Sequence, residues 1–573
     1  MKRILTYLKG YWLESLLGPL FKLLEASFEL IVPFVIAAII DRGIPSGDAN
    51  YIIRMGLILV GLGLVGLLSS VTAQYFAARA SVGLATRLRH ALFAHIQRLS
   101  YADLDRAGTS TLITRMTSDV NQVQSGVNLG LRLFLRSPFI VFGAMIMAFT
   151  IDARCALIFA VAIPVLAAII FGIMLVTMPL YRKTQGQLDD VLLLTRENLS
   201  GVRVLRAFGR EADEIATFDE SHGRLTRLQT LAGRISALMN PLTYIAINFA
   251  LVLLLKTGAV RVQAGILTQG QVVALVNYMG QILVELIKLA NLIITVTKAA
   301  ACGKRIGAVL AIRPSLTSPA ETESPDPERR GLVEFDHVSL KYRGGAAETI
   351  TDVQFSARRG QIIGVIGGTG SGKSTLVNLI PRFYDASSGT VCVDGVDVRR
   401  QPLEELRRRI AVVPQKALLF KGSIRENLLW GNPEADDETL LEAVRAAQAE
   451  DVLRAKGGLD GEIEQSGRNL SGGQRQRLTI ARALARRPEI LILDDSASAL
   501  DFATDARLRM AIRQLPYRPT VFIVSQRASS VRYADQILVL DDGRIVGSGV
   551  HEALLDSCPV YREIYDSQFR REV

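Results

Sequence analysis

Residues 361–380 read QIIGVIGGTGSGKSTLVNLI, an apolar run, a glycine-rich turn and a second apolar run at helical spacing. Gly367 to Ser374 fits the pattern GxxxxGK[ST]. Glycines at 367, 368, 370 and 372, with Thr369 and Ser371 between them, let backbone N–H groups close around phosphates at a helix N-terminus. Lys373 then reaches the outer phosphates, the Ser374 hydroxyl is placed to ligate Mg²⁺, and Thr375 follows in the same turn. A structural glycine turn has no need of the Lys-Ser pair. The stretch therefore predicts strand, phosphate loop and helix, in that order.

Outward from this loop, short β-branched runs alternate with helical stretches from residue 331 to residue 573, the pattern of an α/β domain. The segment before it changes character. SLTSPAETESPDPERRG is rich in Pro, Ser and Glu, so residues 311–330 read as a linker. A chain of 573 residues is too long for one core, and its 49% hydrophobic content sits beside 21% charged residues. Two regions of opposite character are expected. Net charge +11 suits an anionic membrane surface better than nucleic acid, given the apolar excess. The four cysteines, Cys155, Cys302, Cys392 and Cys558, are widely spaced and suggest neither disulfide framework nor metal site. MKRILTYLKGYW lacks a short apolar run with a cleavage site, so no cleaved signal peptide is expected.

The apolar region is residues 1–310. Met55–Ala78 runs 24 residues without a charge, Cys155–Tyr181 runs 27, Ile235–Leu255 runs 21 and Val262–Val284 runs 23. Each is long enough to cross a hydrocarbon core of about 30 Å as a helix. Leu16–Ile40 and Ser137–Ile151 are less clean candidates, which makes six spans. Arg79–Arg115 carries six arginines and Arg182–Arg234 carries nine Lys or Arg, whereas DRGIPSGDANYIIR, DAR and KTGAVRVQAG hold few. By the positive-inside rule the long basic segments and both termini are cytoplasmic, in a multi-pass cell-membrane protein. Helical periodicity in LRHALFAHIQRLSYADLD extends spans two to five beyond the membrane, with turns near Tyr101–Gly108 and Gly201–Gly209.

Further along the α/β domain stands NLSGGQRQRLTIARALARRPEILILDDSASALD. LSGGQ, residues 470–474, just before an apolar strand ending in Asp494, resembles the signature of the ATP-binding cassette family. Six spans followed by one cassette resemble an ABC exporter half-transporter over essentially the whole chain. The resemblance implies an exporter-type, all-α six-helix transmembrane domain followed by an α/β P-loop cassette, with ATP and Mg²⁺ as cofactors. It implies that Tyr342 stacks on adenine and that Gln415 contacts Mg²⁺ and couples to the membrane helices. Ser374 and Asp494 hold the metal, and Asp501 belongs to the D-loop. In that family two cassettes sandwich two ATP molecules, so Ser471, Gly472, Gly473 and Gln474 would serve the site opposite. The two cytoplasmic turns then resemble coupling helices.

Two positions depart from the family. After the Walker B aspartate the family usually has a glutamate that activates the attacking water; here it is Asp495, followed by Ser496 and Ala497. Losing a methylene withdraws the carboxylate by about 1.5 Å, while a base must sit within about 2.6–3.2 Å of its water. In VFIVSQRASS, Gln526 stands where the family usually has the switch histidine, and a carboxamide neither becomes cationic nor shuttles a proton. Both positions treat the same γ-phosphate and water. The pairing resembles the degenerate subunit of heterodimeric bacterial multidrug exporters, with a second half-transporter as partner. A homodimer with two slow sites is the alternative. His90, His95, His222, His337 and His551 form no ligand spacing and read as structural.

The exporter resemblance implies ATP-driven export of hydrophobic or amphipathic small molecules, with a lipid flippase, or less readily a regulatory channel, as alternatives. Ionisable residues within spans are costly and often functional. Lys22, Glu25 and Glu29 share one face of the first span, so Glu25 and Glu29 are candidates to bind a cationic substrate, or else helix-packing pairs. Lys256, Glu285 and Lys288 read as snorkelling residues. Phe28, Tyr244, Phe249 and Tyr278 read chiefly as packing or lipid contacts.

Overall fold

The computed structural model describes residues 4, 6–319, 323, 332–342, 347–496 and 498–569. Half of the expected linker, residues 320–322 and 324–330, and Ala497 lie outside these residues. The described chain divides into two compact units, Met1–Gln97 with Thr109–Ile312, and Arg98–Gly108 with Arg313–Val573.

In the first unit, six helical stretches are long and apolar enough to cross a membrane. Their main helices are α1 (Trp12–Ala38), α2 (Ala49–Ile96), then, after a short α3 (Tyr101–Ala107), α4 (Val120–Leu133) leading into α5 (Arg136–Ile151). α6 (Ala153–Phe208), α7 (Glu211–Ala237) leading into α8 (Met239–Gln263), and α9 (Gln269–Leu310) complete the set. Within a bilayer every backbone polar group must be satisfied internally, which leaves helices as the solution for such apolar runs. Polar caps set the ends. Asp48 accepts the Tyr51 N–H at 3.1 Å and Asp152 accepts the Cys155 N–H at 2.9 Å. Where α1 meets α2 the contact is made by small residues: a Cβ on Gly18 would lie 3.5 Å from the Ala77 nitrogen. Ala26, Ile140, Phe159, Ile170, Leu254 and Tyr278 form the buried interior, while Leu57, Leu64, Leu68, Phe142, Val161 and Phe249 point outward.

Three sequence expectations need correction. The uncharged run 262–284 is not one span. α8 continues through most of KTGAVRVQAG to Gln263, Gly265 turns with φ +71°, and Thr268 with Gln271 forms a capping box that starts α9. Gln, Gly and Thr end helices without carrying charge, so counting charges hides this turn. Glu285 does not snorkel. It is 2% exposed and bonds Arg136 and Lys288 at 2.6 and 2.7 Å and the Ser137 hydroxyl at 2.8 Å. Gly201 lies inside α6, and the turn is confined to Gly209 and Arg210.

The second unit is built on a six-stranded sheet of order β12-β11-β3-β10-β9-β6 and a four-stranded antiparallel sheet of order β2-β1-β4-β5. The strands are β1 (Val333–Leu340), β2 (Ile350–Ala357), β3 (Ile362–Gly367), β4 (Ser388–Val393), β5 (Val396–Asp397) and β6 (Ile410–Val413). A two-residue pair, β7 (Gly422–Ser423) and β8 (Glu462–Ile463), is followed by β9 (Ile490–Asp494), β10 (Thr520–Ser525), β11 (Gln536–Asp541) and β12 (Arg544–Gly549). The central strands pair in parallel, and β12 alone runs antiparallel to its neighbour. Alternate residues of one strand enter different cores. Ile362, Ile366, Leu491, Leu493, Val521 and Ile523 join the helical side. Ile363, Val365, Ile490, Ile492, Phe522 and Val524 join the side shared with the antiparallel sheet. Burial on both faces is why these strands read as unbroken apolar runs. It also fixes β3, β9 and β10 side by side, so the loops at their carboxyl ends converge.

α3 belongs to this unit although its chain neighbours do not. Ser100 and Asp103 form its capping box, and the Asp103 carboxylate also accepts the Ser315 N–H at 2.9 Å and its hydroxyl at 3.0 Å. Burial alone would raise the Asp103 pKa, but these bonds from Ser315 and Ser100 hold it below the usual carboxylate value. Tyr101 packs on Phe383 with ring centroids 4.8 Å apart.

Candidate functional site

β3 delivers the chain into the phosphate loop, and α10 (Lys373–Leu379) leaves it. Gly370 and Gly372 have φ of +83° and +94°, and a Cβ on Gly372 would come within 2.7 Å of Ile350 and 2.8 Å of the Thr349 carbonyl. Only glycine fits there. Lys373 is 8% exposed, and its ammonium donates to the Gly367 carbonyl at 3.0 Å, to the Gly368 carbonyl and to the Ser371 hydroxyl. The loop thus folds around its own lysine. Burial lowers the Lys373 pKa, with Asp495 and Asp494 opposing.

Asp494 closes β9, 8% exposed, and accepts the Ser374 hydroxyl at 2.8 Å. Burial raises its pKa; the Ser374 bond and the Lys373 charge lower it, and neighbouring Asp495 raises it further. A buried carboxylate beside a hydroxyl, with the Gln415 carboxamide on the same cavity wall, is an all-oxygen donor set suited to a hard cation that also takes phosphate oxygens. The residues fit Mg²⁺, which when bound supplies charge neutralisation to the outer phosphates.

Asp495 leaves the strand with φ +46°, its N–H donating to the Val524 carbonyl at 3.0 Å. Its carboxylate accepts the Gln415 carboxamide N–H at 3.2 Å. Burial raises its pKa, the direction a base requires, while Gln415, Lys373 and Arg527 oppose. Opposite, the Gln526 side-chain oxygen accepts the Thr369 hydroxyl at 3.4 Å. Thr369, Gly370, Gly372, Lys373, Ser374, Thr375, Gln415, Asp494, Asp495 and Gln526 line one cavity of about 270 Å³. Gly367, Gly368 and Ser371 hold the lysine just behind it. Tyr342 is tied to this wall through its hydroxyl, 3.1 Å from that of Thr375.

The signature segment stands apart from this cavity. Ser471 caps α11 (Gly472–Ala485) and forms a capping box with Gln474, and Ser471 and Gly472 are exposed. Asp501 caps α12 (Phe502–Arg513) by accepting the Thr504 N–H at 2.9 Å. Sequence reading missed Thr349, which also lines the cavity, and Arg527, which donates to the Ser498 carbonyl at 3.3 Å and stacks over Phe502. Thr349 belongs to no spaced motif, so only the tertiary fold brings it in; Arg527 is the chain neighbour of Gln526, and its position in VFIVSQRASS was the signal that could have found it. The tentative substrate carboxylates are both paired within the chain. Glu25 bonds Lys22 at 2.5 Å, and Glu29 bonds Arg136 at 2.6 Å while its side chain stays 40% exposed.

The comparisons with known proteins agree with this architecture. Residues 15–286 match the ABC transporter transmembrane region and residues 350–498 match the ABC transporter domain. The chain is 30% identical to an ATP-dependent lipid A-core flippase of Chromobacterium violaceum, covering 99% of this chain and 97% of that protein. It is also 30% identical to a putative multidrug export ATP-binding/permease protein, YgaD, of Bacillus subtilis, covering 99% of both. A solved bacterial Atm1-family ABC exporter with ATP bound shares the fold, with a TM-score of 0.79, 22% identity and coverage of 100% of this chain and 99% of that one. A six-helix membrane domain, a P-loop cassette and full-length relatedness place this multi-pass chain in the ABC transporter family, as an exporter half-transporter that drives transport with ATP.

Proposed function

We propose that this chain is one half of a heterodimeric exporter in which its own site, built on the phosphate loop and Asp494, binds ATP and Mg²⁺ but hydrolyses slowly. Ser471 to Gln474 and Asp501 then complete the partner's competent site. The observation that carries the reading is the pair Asp495 and Gln526 on the wall of one cavity. Asp495 has the raised pKa of a base but is one methylene short, and its carboxylate is already engaged by Gln415. A misplacement of about 1 Å costs on the order of a hundredfold. Gln526 offers a hydrogen bond to a phosphate but no charge. The exposed start of the signature helix, at Ser471 and Gly472, does not line that cavity and suits a site shared with a second cassette.

The residues assigned to ATP are Tyr342 and Gly367–Thr375, with Ser374, Gln415 and Asp494 holding Mg²⁺. The chain divides as residues 1–310 membrane domain, 311–330 linker and 331–573 cassette. The cassette and both termini face the cytoplasm, and the membrane is the cell membrane. The cargo is a hydrophobic or amphipathic small molecule. Both candidate carboxylates are ion-paired within the chain, and Glu29, 40% exposed against 18% for Glu25, is the more accessible to a cationic one. A lipid cargo is the second reading, favoured by the full-length similarity to the flippase.

The test is ATP turnover by the full chain alone in lipid vesicles. Slow turnover that rises when a second half-transporter with Glu and His at these two positions is added supports the reading. Ordinary transporter rates from the chain alone sink it. Slow turnover of a stable homodimer, unchanged by any second half, points instead to two slow sites. Dye against fluorescent phospholipid uptake into inside-out vesicles separates the two cargo classes.

A further inference from the structure

The switch segment is held by a residue from the far end of the chain. β10 ends at Ser525, and α13 (Ala528–Val531) begins three residues later. Its N-cap, Arg527, makes no side-chain capping bond, so the first N–H of α13 lacks a local partner. Gln568 supplies one. Its side-chain oxygen accepts the Ala528 N–H at 2.8 Å, and its side-chain nitrogen donates to the Gln526 carbonyl at 2.8 Å. One carboxamide therefore clamps the main chain on both sides of Arg527, and the two bonds fix its orientation, since the oxygen must face the N–H.

The clamp is firmly mounted. Gln568 lies on α14 (Pro559–Phe569), seven residues after Tyr561, on the same helix face as Tyr561, Ile564 and Tyr565. Tyr561 is fully buried, and its hydroxyl is 2.8 Å from the His551 ring. Ile564 and Tyr565 pack against the cassette core. At the other end, the Gln526 side chain reaches Thr369 of the phosphate loop. A continuous path thus runs from the C-terminal helix, through two backbone bonds, to the loop that encloses the phosphates.

We propose that Gln568 is a positioning residue for the nucleotide site: by fixing the Gln526 carbonyl and the Ala528 N–H it sets where the Gln526 side chain stands over the phosphate loop. The proposal rests on the reading that Gln526 faces the nucleotide, and it does not depend on whether the site is fast or slow. Because the bonds are to main-chain atoms, the clamp acts on whatever side chain occupies position 526.

The test uses the full chain in lipid nanodiscs, with Mg²⁺ and photoactivatable 8-azido-ATP as the probe of its own site. Gln568→Met keeps length and bulk but removes both bonds; Gln568→Glu keeps the acceptor for Ala528 and turns a second acceptor toward the Gln526 carbonyl. Both variants are expected to raise the concentration of half-saturating labelling about fivefold, about 1.6 RT, the size of one lost hydrogen bond. Their melting temperatures are expected to stay within about 2 °C of the parent. In a Gln526→Ala background, Gln568→Met is expected to change labelling no further. Labelling of Gln568→Glu like the parent, or an equal Gln568→Met effect in the Gln526→Ala background, would overturn the proposal. If Gln526→Ala alone leaves labelling unchanged, the premise that Gln526 faces the nucleotide has failed, and the proposal falls with it. A failure confined to the double variant leaves the premise standing.

Discussion

Two sets of side chains in the cassette sit on the same cavity and are built to different tolerances. Lys373, Ser374 and Asp494 belong to secondary structure, and the Lys373 and Asp494 side chains are at most 8% exposed. Their bonds include one of 2.8 Å between Ser374 and Asp494 and one of 3.0 Å between Lys373 and a loop carbonyl. Asp495 and Gln526 lie just past the ends of β9 and β10, and their bonds to Gln415 and Thr369 are 3.2 and 3.4 Å, with Asp495 half-buried and the other three exposed. The first set is fixed by the packing of two cores around the sheet. The second is fixed by side-chain length and by loop backbone, so one methylene matters there more than a change of burial would.

That contrast gives an ordered series of tests. The largest effect is expected from Lys373→Ala, which removes the charge the phosphate loop is folded around. ATP affinity at this site should fall by about a hundredfold, measured by nucleotide photolabelling. Retained affinity would mean that the tight set does not bind phosphate.

Next comes restoration of the loose set. Asp495→Glu with Gln526→His in one chain should raise ATP turnover about tenfold or more, because a base in reach contributes at least that much. No gain would show that side-chain length is not what limits the site, and the contrast would lose its functional meaning.

A smaller effect separates stability from function. The Asp494 pKa is raised by burial, so its ionised form is disfavoured in the folded state relative to an unfolded value near 3.8. That cost is absent at pH below 3.8 and present once pH exceeds the folded pKa, including neutral pH. Asp494→Asn should therefore raise the nucleotide-free melting temperature by about 2 °C while abolishing the stabilisation that MgATP confers. A lower melting temperature would show that the charge is compensated in place.

The smallest effect concerns the mount of the C-terminal helix. Burial lowers the His551 pKa below 6.5, with Glu552 opposing and Arg532 adding to the shift, and Tyr561 is pushed up to about 12. Both rings therefore stay neutral at their shared bond. A depressed histidine pKa means the unfolded chain takes up the proton first, so stability is full above pH 6.5 and declines as pH falls from 6.5 toward the folded value. The protection of amides in residues 559–569 against hydrogen exchange, corrected for the intrinsic pH dependence of exchange, should fall modestly on acidification through that window. His551→Gln should flatten the response, and pH-independent protection in the parent would remove His551 as the cause.

The membrane helices, the cassette class and the tight half of the site are properties of the chain read in order. Long apolar runs leave the backbone no partner in lipid but itself, and the glycines of residues 367–372 with Lys373 and Ser374 specify a phosphate loop through local geometry alone. The sequence also singled out Asp495 and Gln526, because a missing methylene and a missing ring are visible in the letters. It misplaced the start of the last span, since Gln263, Gly265 and Thr268 end a helix without charge. It took Glu285 for a snorkelling residue, since its bonds to Arg136 and Ser137 come from positions nearly 150 residues away. The same holds for Ser315 on Asp103, Thr369 against Gln526 and Gln568 across the switch. Local chemistry depends on neighbours within a few residues and is written in the chain. Which hydrogen bonds are closed between distant segments is decided only when two cores pack on opposite faces of one sheet and bring strand ends, loop and C-terminal helix to the same place.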